Sequence, residues 1–310
     1  MIQSLPPGIM IRTIAESYTI PFFASSTIGT TTSSTAVPAV VTIDLYGKSF
    51  HQVEADAHNE NTTGRTPTGL ALWPAGKLLS DFLACCQGNP STVVELGCGL
   101  GLCGLVSQAL MMEGLVVLTD CDEETLQYAK YNVEQNKALC YCETLDWCQP
   151  SHAQRVKERL LGTADGFDRV VASDVIYEMT DVWVPDLFVT AKSLMKTSGG
   201  LFFLGIRRRT TSLESLKIVS KQVGLDGGRF VSNFLLDLFD NRLEISDDDD
   251  TTADKQLEGN TDSVGDDGSR SLFWSAAVLV YWHANDELGK EMATQLCTKA
   301  TENGHQLDNY

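Results

Sequence analysis

The stretch VVELGCGLGLCGL, residues 93–105, decides the fold. Two valines and a leucine surround Glu95, and glycines follow at 97, 99, 101 and 104. The residues before the glycines, TVVEL (92–96), read as a short buried strand, and GLVSQALMME (104–113) reads as a helix. A strand, a glycine turn and a helix in that order let the backbone come close to a ligand without Cβ clashes. Gly97 and Gly99 would make that approach, while Gly101 and Gly104 would ease packing of the helix on the sheet. Read from Gly99, the pattern is the G-x-G-x-x-G of dinucleotide binding. Read from Gly97, it is G-x-G-x-G behind an acid, which suits S-adenosylmethionine.

Working outward, apolar and polar segments alternate as strand and helix. GLVVLTD (114–120) is a second strand ending on an acid, and EETLQYAKYNVEQN (123–136) an amphipathic helix. ALCYCETLDW (138–147) and FDRVVASDVIY (167–177) are further strands, joined by a crossover. A helix at DLFVTAKSLMK (186–196), a strand at GGLFFLGIRRR (199–209) and a helix at SLESLKIVSKQVG (212–224) follow. RFVSNFLLDLF (229–239) and SLFWSAAVLVYWH (271–283) read as two last strands with no helix between them. Before the glycines, LALWPAGKLLSDFLACC (70–86) reads as a helix with Pro74 in its first turn, and VTIDLYGKSFHQV (41–53) as a strand or hairpin. Alternation of this kind implies an α/β fold, a mostly parallel Rossmann-like sheet with helices on both faces. The final pair implies an antiparallel C-terminal hairpin, and residues 41–53 an N-terminal β extension.

Composition sets the boundaries. The chain has 310 residues and 43% apolar content, enough for one large domain. No apolar run approaches the roughly 20 residues of a membrane span, so no membrane association is expected. A formal charge of −18 argues against nucleic acid as a partner. It suits a basic protein partner instead. Nine cysteines, an odd number, fit reduced thiols in the cytoplasm or nucleus. Residues 1–40 are Ser/Thr-rich and are expected to form a flexible leader, with the main domain over 41–310. The acidic run at about 246–270 is expected to be a solvated, disordered insertion. A monomer is expected.

Glu95 shifts the choice of cofactor. A strand buried on both faces is normally apolar throughout, and a carboxylate there needs a partner. A pyrophosphate would be repelled by it, whereas an ammonium and a sulfonium would not. Glu95 could also simply cap amides of the glycine loop, which either cofactor allows. Asp120, nineteen residues after Gly101, suits the ribose hydroxyls of any adenosyl ligand. Asp122 suits a helix N-cap, with Glu123 and Glu124 in the first turn. Cys140, Cys142, Cys148 and His152 have a zinc-like spacing. Cys140 and Cys142 would share one face of a strand, however, and read as packed thiols, so no metal is expected.

LALWPAG, VVELGCGLG, LTDCDE, LDW and ASDVIYE occur in this order. Together they resemble the family-16 methyltransferases, seven-strand S-adenosylmethionine-dependent enzymes that include many protein-lysine methyltransferases. The resemblance covers roughly residues 40–210 and implies S-adenosylmethionine as cofactor and a protein lysine as substrate. It implies that Trp73 covers the cofactor and that Gly97, Cys98 and Gly99 touch its methionine part. Asp120 would hold the ribose. Asp146 and Trp147 would lie beside the adenine, and Ser173 would line the site. Asp174 and Tyr177 match the D-x-x-Y motif and would be catalytic. Two alternatives stay open: transfer to a small molecule or another protein side chain, and a cofactor-binding interaction module without turnover.

Overall fold

The computed structural model describes residues 14–22, 39–48, 53, 68–86, 90–111, 113–162, 165–177, 181–207, 212–231, 276–302 and 306–308. Strand β1 (Ile14–Phe22) pairs antiparallel with β2 (Ala39–Gly47), with Ile14 opposite Gly47. The flexible leader expected over 1–40 is therefore interrupted. IAESYTIPF carries the β-branched and aromatic residues that favour a pleated strand, and β2 supplies its ladder. In β2, Ile43 and Leu45 are buried while Thr42 and Asp44 are exposed, the period-two pattern of a half-buried strand. The acidic run at 246–270 lies outside the described residues.

A short turn at Thr68–Leu70 leads to helix α1 (Pro74–Cys86), which opens on its proline. The core then alternates: β3 (Thr92–Leu96), α2 (Leu102–Leu110), β4 (Leu115–Asp120), α3 (Glu123–Gln135), β5 (Cys140–Thr144), α4 (Pro150–Leu160), β6 (Arg169–Ser173), α5 (Val184–Leu194), β7 (Leu201–Arg207) and α6 (Leu213–Gln222). It closes with β8 (Leu225–Val231), β9 (Ala276–His283), α7 (Glu287–Glu302) and β10 (Gln306–Asp308).

Strands β3 to β10 form one sheet in the order β10-β8-β9-β7-β6-β3-β4-β5. Pairings among β3, β4, β5, β6 and β7 are parallel, and β9 enters antiparallel between β7 and β8. These seven strands are the expected mostly parallel sheet with its antiparallel C-terminal hairpin. The three-residue β10 adds an outer edge to β8. The sheet alternates between two apolar clusters. Val93, Val116, Leu118, Val171 and Phe203 face α1, α2, α3, α7 and β2. Val94, Val117, Val170, Phe202 and Leu204 face α4, α5 and α6. Three layers result, with the inner parallel strands covered on both faces, while edge strand β5 leaves Tyr141 exposed.

Beyond β1 and β10, which the sequence reading also lacks, further elements depart from it. The crossover before β6 contains α4, whose apolar face is narrow, with only Ala153 and Val156 buried. Helix α7 was not read from the sequence. Strand β8 begins at Leu225 rather than 229, and residues 232–239 lie outside the described residues. Its Gly227 resembles a turn signal, yet a Cβ there would meet Tyr281 Cδ1 at 2.5 Å, so the glycine serves strand packing.

The chain runs from β3 outward to β4 and β5, then returns to β6 on the other side of β3. That reversal opens a crevice at the carboxyl ends of β3 and β6, where open α/β sheets bind ligands.

Candidate active site

A cavity of about 460 Å³ fills this crevice, within the range of small-molecule sites. Its floor is the glycine turn after β3. Gly97, Gly99 and Gly101 take positive φ values of 61°, 53° and 86°, a backbone that side chains rarely adopt. The turn is pinned by Cys98 N–H to Thr119 O at 2.9 Å and Gly101 N–H to Cys98 O at 2.7 Å. Gly104, in α2, lies so close to the sheet that a Cβ would overlap Leu118 Cδ2. The packing role expected of Gly101 and Gly104 is thus visible in Leu118, whose methyls approach both.

Glu95 is 1% exposed, and its Oε2 accepts the Gly104 N–H at 2.8 Å. It therefore caps an amide of α2 while lining the cavity. Burial pushes its carboxyl up from 4.5 to about 8; hydrogen bonds from Gly104 and Cys103 offset part of the rise, and the Asp120 charge adds to it. Thr119 Oγ1–H donates to Glu95 O at 2.6 Å, fixing the end of β3 to β4.

Asp120 ends β4. Its Oδ2 accepts the Gly99 N–H at 3.2 Å and its Oδ1 the Asp122 N–H at 3.1 Å. A carboxylate can accept about four hydrogen bonds, so capacity remains for a ligand hydroxyl. Burial raises its pKa, and the Asp122 and Gly99 amides offset part of the rise. Asp122 caps α3, accepting from Thr125 N–H at 2.7 Å, with Glu123 and Glu124 in the first turn as the sequence suggested. Asp146 and Trp147 follow β5 and line the opposite wall. Asp146 Oδ1 accepts the Cys148 N–H at 3.0 Å. Trp147 reaches the glycine turn, its Cζ2 lying 3.4 Å from where a Gly97 Cβ would stand.

Trp73 lines the cavity from just before α1, held by its Nε1–H to Thr68 O at 2.9 Å. Ser173 closes β6, and Cys103 Sγ lies 3.6 Å from its Oγ. Asp174 follows with a φ of 53° and 7% exposure. Its Oδ2 accepts the Ala75 N–H at 2.8 Å, so this carboxylate caps α1, ninety-nine residues earlier in the chain. The Tyr177 hydroxyl meets Thr68 Oγ1 at 3.1 Å and joins the N-terminal segment to the loop after β6. Every position expected to face the cofactor lines the cavity, as do Asp174 and Tyr177, except Gly101, which belongs to the same glycine turn.

The structure adds Thr68, Gly76, Val175 and Trp183 to the wall. Trp183 lies in a turn between β6 and α5 where periodicity carries no signal, and the sequence hints at it only as an aromatic two residues before Pro185. The zinc-like set separates into local roles. Cys140 and Cys142 pack against the apolar core, and His152 Nδ1 accepts the Asp146 N–H at 3.2 Å. Arg207 ends β7, whereas Arg208 and Arg209 lie outside the described residues.

The charge of the wall is one-sided. Glu95, Asp120, Asp122, Asp146 and Asp174 line the cavity, and among the described residues no Lys, Arg or His does. A pyrophosphate would find no cation there. A ligand with an adenosine, an ammonium and a sulfonium fits the donor set: carboxylates for hydroxyls and cations, and indole faces for a flat ring.

The model of a family described as lysine methyltransferase matches residues 53–222. A calmodulin-lysine N-methyltransferase from Arabidopsis thaliana is 32% identical over 167 residues, covering 51% of this chain and 52% of that protein. A protein N-terminal and lysine N-methyltransferase, EFM7, from Yarrowia lipolytica is 28% identical over 186 residues, covering 51% of this chain and 67% of that protein. The chain thus spans about half the length of the first of these relatives. Among solved structures, an S-adenosylmethionine-dependent methyltransferase from Clostridium acetobutylicum aligns at a TM-score of 0.44 and 12% identity, covering 67% of this chain and 92% of that one. By its family match, this chain belongs to the lysine methyltransferase family.

Proposed function

We propose that the chain transfers a methyl group from S-adenosylmethionine to the ε-amine of a lysine in a protein substrate. The observation that carries this reading is the cavity wall, which holds five carboxyl groups and, among the described residues, no cation. Two cationic reactants could meet there, and the family match supports the same chemistry.

When bound, the cofactor supplies an electrophilic methyl on sulfonium, and in-line displacement needs chiefly alignment. Gly97, Cys98 and Gly99 would lie against its methionine part, Asp120 would accept from the ribose hydroxyls, and Trp147 would face the adenine. Asp174 would receive the amine. The α1 amide holds one carboxylate oxygen at 2.8 Å, so the side chain cannot swing away. A substrate lysine is charged at neutral pH and must shed its proton, to water or a nearby base, before the N–C bond forms and the C–S bond breaks to release S-adenosylhomocysteine. Asp174 would orient the amine by a hydrogen bond, and Tyr177, tied to Thr68, would wall its approach. Trp183 would add an aromatic face for the alkyl stem. The free thiols Cys98 and Cys103, both buried, support a reducing cytosolic or nuclear setting.

The test has two parts. Calorimetry should show micromolar S-adenosylhomocysteine and no NAD. A lysate incubated with the protein and methyl-labelled cofactor should gain label on lysine, read by mass spectrometry. Binding of NAD alone would sink the cofactor assignment. Label confined to small molecules or to protein α-amines would sink the lysine assignment.

A further inference from the structure

Helix interiors disfavour asparagine, because its short amide competes for backbone partners. Yet α3 carries Asn132 at 0% exposure and ends on Asn136, one turn later. Both amides turn outward from the helix to strand β2. The Asp44 N–H donates to Asn136 Oδ1 at 2.9 Å, and Asn136 Nδ2 donates to Asp44 O at 2.7 Å. The Tyr46 N–H donates to Asn132 Oδ1 at 2.8 Å, and Asn132 Nδ2 donates to Tyr46 O at 3.1 Å. The match is geometric. Four helix residues rise about 6 Å and two strand residues about 6.7 Å, so amides one turn apart meet alternate strand residues. The helix thereby acts as a neighbouring strand for the edge of β2 that β1 does not pair.

Asn132 makes a further bond that Asn136 does not. Its Nδ2 also donates to Leu100 O at 3.0 Å. Leu100 lies between Gly99 and Gly101 and lines the cavity. The contact between hairpin and loop is also tight sterically: a Cβ at Gly47, the last residue of β2, would stand 2.6 Å from Leu100 Cδ1.

We propose that Asn132 is a positioning residue for the cofactor: one buried amide ties the N-terminal hairpin, at Tyr46, to the glycine loop, at Leu100, so that seating the hairpin sets the loop. This rests on the cofactor reading above. Because coupling is reciprocal, a ligand that orders the loop must also steady the hairpin.

The test compares Asn132→Asp with Asn136→Ala. Asn132→Asp keeps the shape and the acceptor for Tyr46 but sets a carboxylate oxygen against two carbonyls. Asn136→Ala removes the outer pair of hairpin bonds and the Asn136 Nδ2–H bond to Asn132 O at 2.8 Å, and leaves the Asn132 side-chain bonds to Tyr46 and Leu100 in place. Titrations use S-adenosylhomocysteine and, as a probe without the amino-acid part, 5′-methylthioadenosine. Asn132→Asp should weaken S-adenosylhomocysteine about tenfold, the scale of one lost buried hydrogen bond. It should change 5′-methylthioadenosine less than twofold, and Asn136→Ala should change both less than twofold. Equal losses for the two ligands, or equal losses in the two variants, would overturn the proposal. So would wild-type affinity in Asn132→Asp. Should that variant not fold, amide exchange in the wild type decides. Saturating S-adenosylhomocysteine should slow exchange at Tyr46, and an unchanged rate would overturn the coupling. If the wild type binds no S-adenosylhomocysteine, the cofactor reading itself falls, and this inference with it.

Discussion

Replacing Glu95 by Gln should stabilise the protein near neutral pH and weaken its hold on the cofactor. The carboxyl is fully buried and its pKa is pushed from 4.5 to about 8, with burial the largest cause. A carboxyl whose folded pKa exceeds its unfolded value binds its proton more tightly in the native state. Its contribution is fully present below about pH 4.5 and is lost as pH rises through about 8. Within that window each pH unit removes up to about 1.4 kcal/mol. At pH 7 the penalty therefore approaches about 3 kcal/mol. Glutamine is nearly isosteric, can still accept the Gly104 N–H and carries no ionisable proton. Glu95→Gln should match the wild type at pH 4.5 and exceed it by about 3 kcal/mol at pH 7. Thermal melts would read a difference of roughly 6 °C, taking the low end of the shift expected per kcal/mol for a chain of this size. The same variant should bind S-adenosylhomocysteine more weakly, because Glu95 can give up its proton opposite the ligand's ammonium and glutamine cannot. Melts from pH 4.5 to 8 on both proteins decide the matter. A wild type whose stability does not fall relative to the variant across that range would refute the account of Glu95 as a strained, proton-holding acid.

Three further outcomes are expected. Gly104→Ala should destabilise the fold by about 1–3 kcal/mol in urea titrations, because the new methyl meets the buried Leu118 side chain; an unchanged midpoint would show that α2 can move off the sheet freely. Asp174→Asn keeps an acceptor for the Ala75 amide, and asparagine tolerates the left-handed backbone at this position. It should therefore spare stability and S-adenosylhomocysteine affinity while lowering methyl transfer about a hundredfold or more, and normal turnover would remove Asp174 from the chemistry. Asp120→Ala should weaken S-adenosylhomocysteine about a hundredfold, since it removes the ribose acceptor and the Gly99 anchor together; retained affinity by calorimetry would refute its ribose role.

The parts of the site legible in the sequence are those set by local spacing. Gly97, Gly99 and Gly101 were readable because a turn from strand to helix needs positive φ, and only glycine adopts it cheaply. Asp122 was readable as a cap, because capping depends on residues within one helical turn. The alternation of strands and helices was readable because burial imposes its own period on each. Helix α4 escaped because two buried residues make too narrow a stripe to declare a period.

Sequence alone therefore determined the class of sheet, the glycine turn and the identity of most side chains that line the cavity. The tertiary structure decided what those side chains are attached to. Asp174 is locked by an amide of α1, Tyr177 by Thr68, and Glu95 by Gly104 inside the core. Asn132 joins a strand to a loop, both of which lie well before it in the chain. The one-sided charge of the cavity wall belongs to the structure as well. It emerges only where the order of strands reverses at β3 and β6 and brings five distant carboxyl groups to one crevice. Spacing along a chain reports periodicity within an element, whereas convergence between elements depends on sheet order and layer packing, which no local pattern records.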